Sequence, residues 1–182
     1  WALDVLRDQP APSIADLGTG SGAIALALAR ARPDARVMAV DVSLAALSIA
    51  QLNQQRLGCA NVTLIHASWY DGWQAADGLD LIISNPPYIH ADDPHLSGDG
   101  VRFEPRLALT DEADGLDAYR AIAAGAVARL KPGGWLLVEH GHDQGAAVAS
   151  LWLQAGLVDV RGRLDLSGNP RMTGGQKPAR SA

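Results

Sequence analysis

A glycine-rich segment between an apolar run and a helix-forming run constrains the fold of this chain most. Ser13–Leu17 has the composition of a buried strand, and residues 18–22 follow it as Gly-Thr-Gly-Ser-Gly. Residues 23–29 are all Ala, Ile or Leu, which favours a helix packed on a sheet. A strand, a glycine turn and a helix open a βαβ unit, so the sequence predicts an α/β fold with a parallel sheet.

The glycine segment also indicates a ligand site. Glycines let the backbone approach a ligand closely, and a helix N-terminus offers free N–H groups. The spacing is Gly-x-Gly-x-Gly and differs from the Gly-x-Gly-x-x-Gly of dinucleotide binders. Asp16, just before Gly18, would repel a pyrophosphate but suits a ligand with a cationic amino group. S-adenosylmethionine carries such a group, beside a carboxylate that the helix N-terminus can bind.

Two further side chains are expected at the same edge of the sheet. A second predicted strand, residues 36–40, ends at Asp41, about 20 residues after the glycines, where an acidic side chain meets a ribose diol in nucleotide-binding units. Asp41 has a simpler alternative role as a cap of the helix that begins near Ser43. Trp69 follows a third strand, residues 61–66, and either stacks on an adenine or fills the core. His66 is expected to be a structural histidine.

The segment Ser84-Asn85-Pro86-Pro87-Tyr88 predicts a rigid turn at that edge. It follows Leu79–Ile83, an apolar run typical of a buried strand. Two prolines cannot continue a strand in a sheet interior because they donate no ladder hydrogen bonds. The chain must therefore leave the sheet at the C-terminal edge, where open α/β sheets bind ligands.

The later segments complete the α/β pattern. We expect helices over residues 117–130 and 143–155, strands over 135–140 and 157–161, and a helix break at 131–134. Glu139 and His140 form either an acid/base pair or the polar end of a buried strand. Residues 164–182 are expected to be a turn and a frayed tail. In the long polar segment 89–112, Asp92, Asp93 and His95 match no zinc spacing, so no metal is expected.

Composition limits the function classes. The 182 residues suit one domain, and the formal net charge of −5 argues against a nucleic-acid partner. One cysteine, Cys59, excludes an intrachain disulfide and fits a reducing compartment. No signal peptide is visible, and no apolar run approaches the length of a membrane span. The chain begins at Trp1 on what looks like the end of a helix, so we expect a fragment whose N-terminal part is missing.

Three motifs, in this order, resemble the class I S-adenosylmethionine-dependent methyltransferases. They are Asp16–Gly22, Asp41 and Asn85–Tyr88. The chain more narrowly resembles the HemK/PrmC family, which methylates the glutamine side-chain amide in the Gly-Gly-Gln motif of peptide-chain release factors. The narrowing segments are Asp93-Pro94-His95-Leu96, Arg102-Phe103-Glu104-Pro105 and Glu139-His140-Gly141. The resemblance covers roughly residues 1–172.

The resemblance implies a Rossmann-like, three-layer sandwich with a seven-stranded, mostly parallel sheet and one antiparallel strand. Residues 1–182 would be the catalytic domain, without the family's N-terminal helical domain. Arg171–Thr173 resembles the start of the family's last strand, but Gly174-Gly175-Gln176 is not expected to continue it. We therefore expect an irregular tail over residues 173–182 and regard its match to the substrate motif as chance.

The resemblance also implies roles for individual residues. Gly18–Gly22 would wrap the methionine part and ribose of S-adenosylmethionine, Asp41 would hold the ribose hydroxyls, and Trp69 would lie against the adenine. Ser68 stands where relatives often have Asp. The cofactor-binding set is Asp16, Gly18, Thr19, Gly20, Ser21, Gly22, Asp41, Trp69 and Asn85.

The acceptor turn has the second set of implied roles. Asn85 and the Pro86 carbonyl would accept hydrogen bonds from the substrate NH2, and Tyr88 would pack on the amide plane. Asn85, Pro86 and Tyr88 are thus the expected catalytic residues, and Pro87 adds to the substrate-binding set. The expected protein is a cytoplasmic monomer that acts on release factors and contacts neither membrane nor nucleic acid directly.

Alternative functions remain open at this stage. The turn over Asn85–Tyr88 could also bind the exocyclic amine of a nucleobase, as in a nucleic-acid methyltransferase acting on adenine N6 or guanine N2. A non-catalytic module that retains cofactor binding is a different class. A nicotinamide dehydrogenase is disfavoured by the glycine spacing.

Overall fold

A computed structural model describes residues 1–88 and 114–179. These residues form five helices and seven strands. The helices are α1 (Ala2–Val5), α2 (Ala23–Ala31), α3 (Leu44–Leu57), α4 (Asp117–Arg129) and α5 (Gly145–Gln154). The strands are β1 (Ser13–Leu17), β2 (Arg36–Asp41), β3 (Val62–His66), β4 (Leu79–Ser84), β5 (Leu130–Glu139), β6 (Val158–Leu164) and β7 (Pro170–Gln176).

The seven strands form one sheet in the order β3-β2-β1-β4-β5-β7-β6. All neighbours from β3 to β5 pair in parallel, whereas β7 runs antiparallel to both β5 and β6. The predicted seven-stranded, mostly parallel sheet with one antiparallel strand is therefore confirmed. Strand order reverses direction at β1, which lies between β2 and β4, and such a switch point is where open α/β sheets bind ligands.

Helices cover both faces of the sheet, because successive strand residues point to opposite sides. Ala15, Ile82 and Leu136 belong to a core cluster that includes side chains of α4 and α5. Their chain neighbours Ile14 and Leu81 belong to a second cluster that includes side chains of α1 and α2. This alternation produces the three-layer sandwich that the resemblance implied.

Strand β5 is longer than predicted. The segment Lys131-Pro132-Gly133-Gly134 was expected to be a break, yet β5 begins at Leu130, directly after α4. A Cβ on Gly134 would lie 2.8 Å from the Leu79 carbonyl oxygen, so glycine permits the close approach of β4. The Lys131 ammonium lies 2.7 Å from Asp80 Oδ2 on β4. Contacts with the neighbouring strand thus override the local break signal.

The predictions of a frayed tail over residues 164–182 and of an irregular tail from residue 173 are wrong for residues 170–176. These residues form β7, and its Thr173, Gly174 and Gly175 are buried. A Cβ on Gly174 would lie 2.6 Å from a Leu137 methyl and 2.7 Å from two ring atoms of Trp1. A Cβ on Gly175 would lie 2.8 Å from the Trp152 ring. Glycine is needed at both positions of the strand, because the neighbouring side chains leave room for a hydrogen atom but not for a Cβ.

Candidate functional site

The glycine loop connects β1 to α2 with three left-handed residues. Gly18, Gly20 and Gly22 have φ values of +69°, +56° and +84°, which favour glycine. The loop folds back on β2, since the Thr19 N–H donates to the Val40 carbonyl at 2.9 Å. A Cβ on Gly20 would meet no atom within 4 Å, so the space above this glycine is open. The loop thus presents bare backbone at the C-terminal edge of the sheet.

Asp16 is the buried acid of the site. Its Oδ2 accepts hydrogen bonds from the Thr19 hydroxyl at 2.6 Å and the Ala25 N–H at 3.1 Å. Its Oδ1 is buried and has no hydrogen-bond partner within the described part of the chain. Burial raises the pKa of Asp16 to about 6, the two hydrogen bonds oppose the rise, and the Asp41 carboxylate adds to it. A cationic group facing Oδ1 would satisfy this oxygen and stabilise the ionised form.

Asp41 does not cap α3, because Ser43 is the N-cap residue of that helix, and it keeps capacity for a ligand. Its Oδ1 accepts from the Ser43 N–H and its Oδ2 from the Gly20 N–H, both at 2.8 Å. Ser43 itself caps α3, since its Oγ accepts from the Ala46 N–H at 3.2 Å. Each carboxylate oxygen can accept a second hydrogen bond. Asp41 therefore couples the glycine loop to the start of α3 and can still receive ribose hydroxyls.

Trp69 lies beside the first glycine of the loop. Its backbone has a φ of +47°, uncommon for a residue other than glycine, and its carbonyl accepts from the Trp73 indole N–H at 2.9 Å. A Cβ on Gly18 would lie 3.9 Å from Trp69 Cζ3. The half-buried ring packs on the core and also faces the loop.

The acceptor turn, residues 85–88, starts where β4 leaves the sheet beside β1. The Ser84 hydroxyl is buried and donates to the Leu17 carbonyl at 2.7 Å, which joins the start of the turn to the start of the glycine loop. Asn85 is exposed and Pro86 is buried. The described peptide bonds are all trans.

Tyr88 ends the turn in a polar surrounding. Burial raises the pKa of Tyr88, the Glu139 carboxylate adds to the rise, and Arg171 opposes it. Glu139 and Arg171, which act on the phenol in opposite directions, lie near the end of β5 and the beginning of β7.

Two residues that follow β5 have roles that the sequence left open or missed. His140 is buried, with Nδ1 2.7 Å from the Gly141 carbonyl and Nε2 2.9 Å from the Thr173 hydroxyl, so it is a structural histidine. Gln144 was not predicted. Its Nε2 donates to the Tyr88 carbonyl at 2.9 Å. The only sequence signal for Gln144 is its position shortly after Glu139-His140-Gly141.

The structure brings the predicted cofactor-binding and acceptor residues to one edge of the sheet, but two of the loop residues, Thr19 and Ser21, use polar groups for contacts within the protein. The glycine loop, Asp41, Trp69 and the acceptor turn all follow the C-terminal ends of neighbouring parallel strands. The Thr19 hydroxyl is committed to Asp16, and Ser21 uses its carbonyl to accept from Asn53 Nδ2 at 3.0 Å. Both residues therefore support the loop through these groups.

The remaining predicted side chains have structural surroundings or lie outside the described residues. His66 Nε2 lies 2.9 Å from the Val42 carbonyl, and Cys59 is buried. Over residues 1–88 and 114–179, no three His, Cys, Asp or Glu side chains cluster as metal ligands. The residues considered for a metal, Asp92, Asp93 and His95, lie outside these ranges, and so does the segment Arg102-Phe103-Glu104-Pro105.

Comparison with known proteins connects this geometry to a family. The family profile "Methyltransferase small domain" matches residues 2–97, which include the glycine loop, Asp41, Trp69 and the acceptor turn. The chain belongs to this methyltransferase family. The cofactor predicted from the sequence, S-adenosylmethionine, is the methyl donor that this assignment supports.

The similar proteins agree with the narrower resemblance. The methyltransferase chain is 52% identical over 174 residues to "Release factor glutamine methyltransferase" of Bordetella pertussis, covering 96% of the chain and 64% of that relative. It is 53% identical over 165 residues to the protein of the same name from Xylella fastidiosa, covering 91% and 60%. The chain thus spans less than two thirds of the length of these relatives.

A solved structure supports the fold. The crystal structure of a methyltransferase from Pyrococcus furiosus superposes with a TM-score of 0.70 and 17% identity, covering 97% of this chain and 81% of that one. At that identity the likeness concerns the fold alone.

Among the described helices, none combines the length and apolar character needed to cross a membrane.

The residues present fit S-adenosylmethionine. Its amino group is cationic and matches the buried, unpartnered Oδ1 of Asp16. Its ribose hydroxyls match the remaining acceptor capacity of Asp41. The open backbone at Gly20 allows close approach of a ligand. An acidic residue on both sides of the loop suits a cationic ligand better than a dinucleotide pyrophosphate.

Proposed function

We propose that this protein transfers a methyl group from S-adenosylmethionine to the side-chain amide nitrogen of the glutamine in the Gly-Gly-Gln motif of peptide-chain release factors. The observation that carries this proposal is the similarity, over nearly the whole chain, to release factor glutamine methyltransferases. The arrangement of the acceptor turn beside the glycine loop supports it, because methyl donor and acceptor must meet at one edge of the sheet.

Asn85 and Pro86 would prepare the acceptor nitrogen. An amide nitrogen is a poor nucleophile because its lone pair is delocalised into the carbonyl. The Asn85 side-chain oxygen and the Pro86 carbonyl oxygen would each accept one N–H of the substrate amide. These two hydrogen bonds fix the orientation of the NH2 group and increase the electron density on nitrogen.

Tyr88 would position the amide plane. Its side chain is half-buried, and the charges of Glu139 and Arg171 act on its phenol. Pro86 and Pro87 fix their own φ angles near −65°, which limits the motion of the turn between Asn85 and Tyr88. Orientation of this kind supplies up to roughly 7–11 kcal/mol of the barrier reduction in well-aligned reactions.

The glycine loop and two carboxylates would hold the methyl donor. S-adenosylmethionine would supply an electrophilic methyl group on a sulfonium, and the neutral thioether that remains after transfer is a good leaving group. Asp16 would bind the amino group, Asp41 would receive the ribose hydroxyls, and Trp69 would cover the adenine. The acceptor nitrogen becomes more acidic when it gains the methyl group, so its proton can leave afterwards. No strong base is needed at the moment of transfer.

A labelling experiment tests the proposal. Purified protein is incubated with methyl-labelled S-adenosylmethionine and a release factor, and with the same factor whose motif glutamine is replaced by alanine. We expect label on the first substrate only. Asn85→Ala should lower kcat about 100-fold, because the acceptor amide is no longer oriented. Asn169→Ala, in the exposed turn between β6 and β7, is the matched control and should keep full activity.

Label on DNA or RNA in place of the release factor would overturn this assignment in favour of a nucleic-acid methyltransferase. Bound cofactor with no transfer to any acceptor would identify a non-catalytic module. Since the proposed substrate acts in translation, the proposal places the enzyme in the cytoplasm. We propose that it acts there as a monomer, which size-exclusion chromatography with light scattering would test.

A further inference from the structure

The two ends of the acceptor turn are held by different side chains. At the first end, Ser84 on β4 donates its hydroxyl to the Leu17 carbonyl. At the second end, the Tyr88 carbonyl accepts from Gln144 Nε2 at 2.9 Å. We propose that Gln144 is a positioning residue for methyl transfer, which fixes the C-terminal end of the acceptor turn through the Tyr88 backbone. This inference rests on the function proposed above.

The side-chain amide of Gln144 joins three segments that are distant in sequence. Its Nε2 also lies 3.3 Å from the Gly115 carbonyl, just before α4. Its Oε1 accepts from the Gly141 N–H at 2.9 Å, in the connection between β5 and α5. The backbone N–H of Gln144 donates to the Gly141 carbonyl at 3.0 Å. Through these bonds, the position of Tyr88 depends on the β5–α5 connection and on the start of α4.

The contact pattern requires both functions of an amide side chain. The oxygen acts as acceptor toward Gly141 while the NH2 group acts as donor toward two carbonyl oxygens. A carboxylate can perform only the first task and would repel the Tyr88 carbonyl. Gly115 also fits this arrangement tightly, since a Cβ there would lie 2.7 Å from the Tyr88 oxygen and 2.8 Å from Gln144 Nε2.

Gln144 acts at a distance from the reacting atoms. It bonds to the backbone of Tyr88, whereas Asn85 and Pro86 are the groups proposed to contact the substrate amide. Loosening Tyr88 would let the turn pivot about its Ser84 end and would displace the two acceptors. A displacement of about 1 Å can lower a rate roughly 100-fold without removing any catalytic group.

The variant Gln144→Glu distinguishes a role in positioning the acceptor turn from a role in the stability of the whole domain. It is nearly isosteric and keeps the acceptor for the Gly141 N–H, but it loses both donor contacts. Gln54→Glu is a matched control away from the site. Gln54 Nε2 also donates to two carbonyls, those of Cys59 at 3.1 Å and Val62 at 2.7 Å, and Gln54 is part-buried like Gln144.

Kinetics of release factor methylation and thermal unfolding are measured for the wild type and both variants. We expect similar losses of Tm for the two variants. We expect kcat of Gln144→Glu to fall about 10- to 100-fold with little change in KM for S-adenosylmethionine, while Gln54→Glu keeps kcat within about twofold. Gln144→Met, which retains the side-chain volume without charge, serves if the first variant does not fold, with Gln54→Met as its control.

Several outcomes would overturn the inference. One is an active wild type with unchanged kcat in the Gln144 variants, which refutes the positioning role alone. Another is an equal loss of kcat in the Gln54 controls, which indicates a general structural effect. A wild-type protein that transfers no methyl group to glutamine refutes the proposed function itself, and the inference with it.

Discussion

At the level of single residues, Asp16 carries a conflict between folding and ligand binding. Its carboxyl group is buried with one oxygen unpartnered, and its pKa is raised to about 6 from 3.8. Because the folded state holds the proton more tightly than the unfolded state, stability falls as the pH rises from about 4 to about 6 and then stays lower. The difference corresponds to about 3 kcal/mol at neutral pH. A cationic ligand would offset this cost.

Asp16→Asn should therefore abolish this part of the pH dependence. We expect the free energy of unfolding of the wild type to fall by about 3 kcal/mol more than that of Asp16→Asn between pH 4 and 7. Urea unfolding at several pH values measures this. Asp34→Asn is the control, because Arg32 lowers the pKa of Asp34 and its carboxylate stays ionised across this range. Equal pH slopes for Asp16→Asn and the wild type would contradict the prediction.

Cofactor affinity should show the opposite dependence on pH. Binding of a cationic amino group requires ionised Asp16, so we expect the Kd for S-adenosylmethionine to rise as the pH falls below about 6, by up to about tenfold per pH unit. Titration calorimetry from pH 5 to pH 8 measures this effect. Asp16→Asn should bind weakly at every pH. A wild-type Kd that does not change from pH 8 to pH 5 would exclude Asp16 as the partner of the cation.

The residues of the site differ in how far the sequence reveals them. Asp16 and Asp41 could be located because they are the last residue but one of β1 and the last residue of β2, and the edge of a parallel sheet follows from the βαβ pattern. Gln144 could not, because its bond to Tyr88 joins residues 56 positions apart and depends on how α5 packs beside the turn. The occupied hydroxyl of Thr19 was likewise invisible, since its partner is decided by the loop conformation.

At the level of elements, β7 is a strand whose two glycines give it the local sequence pattern of a tail. Glycine has low β-propensity, so the local signal at Gly174 and Gly175 favours a break. The requirement for glycine arises from Trp1, Leu137 and Trp152, which belong to other elements and occupy the space of a Cβ. The same reasoning applies to Gly134 in β5. Tertiary packing here decides the structure against local propensity.

Gly174→Ala should therefore destabilise the protein by overpacking. The new methyl group would lie within 2.7 Å of Leu137 and Trp1, and an insertion of this kind typically costs about 1–3 kcal/mol. Gly162→Ala on β6 is a matched control, because its Cβ would lie 3.4 Å from the nearest atom, the Met172 carbonyl oxygen. Urea unfolding of both variants measures the difference, and equal stabilities would contradict the packing argument.

The end of β4 permits a second test at this scale. Ser84→Ala removes the buried hydroxyl that joins the acceptor turn to the Leu17 carbonyl. We expect a loss of about 1 kcal/mol in unfolding free energy and a lower kcat. Ser48→Ala removes an exposed hydroxyl that donates to the Leu44 carbonyl within α3 and should change neither quantity appreciably. An unchanged kcat in Ser84→Ala would show that this bond does not fix the turn.

At the level of the whole molecule, the sheet arranges the two halves of the site. The fold class and the parallel pairing of β1 to β5 follow from the βαβ pattern, and the structure agrees with both. The edge that binds ligands stays a prediction. The strand order at the far end, β5-β7-β6, did not follow from these local signals, because hydrophobic runs do not specify which antiparallel neighbours pair.

Ligand binding to this assembled edge should stabilise the whole domain. At a concentration of S-adenosylmethionine 100 times its Kd, the expected gain is about 2.7 kcal/mol. For a domain of this size that corresponds to a rise in Tm of about 5–10 °C, measurable by calorimetry. NAD is the control ligand and should produce no shift, since the glycine spacing does not match a dinucleotide site. A shift with NAD alone would contradict the assignment of the loop.

The position of β7 has a consequence for the order in which the chain can assemble. On a ribosome, residues 158–164 emerge before residues 170–176, yet β6 pairs with β7 alone among the described strands. Strand β6 must wait for its later-synthesised neighbour, whereas β1 to β5 already have partners in the sheet once β5 has emerged. The strands that carry the glycine loop, Asp41 and the acceptor turn can thus pair during translation, and the outer strand β6 can join the sheet only together with β7 or after it.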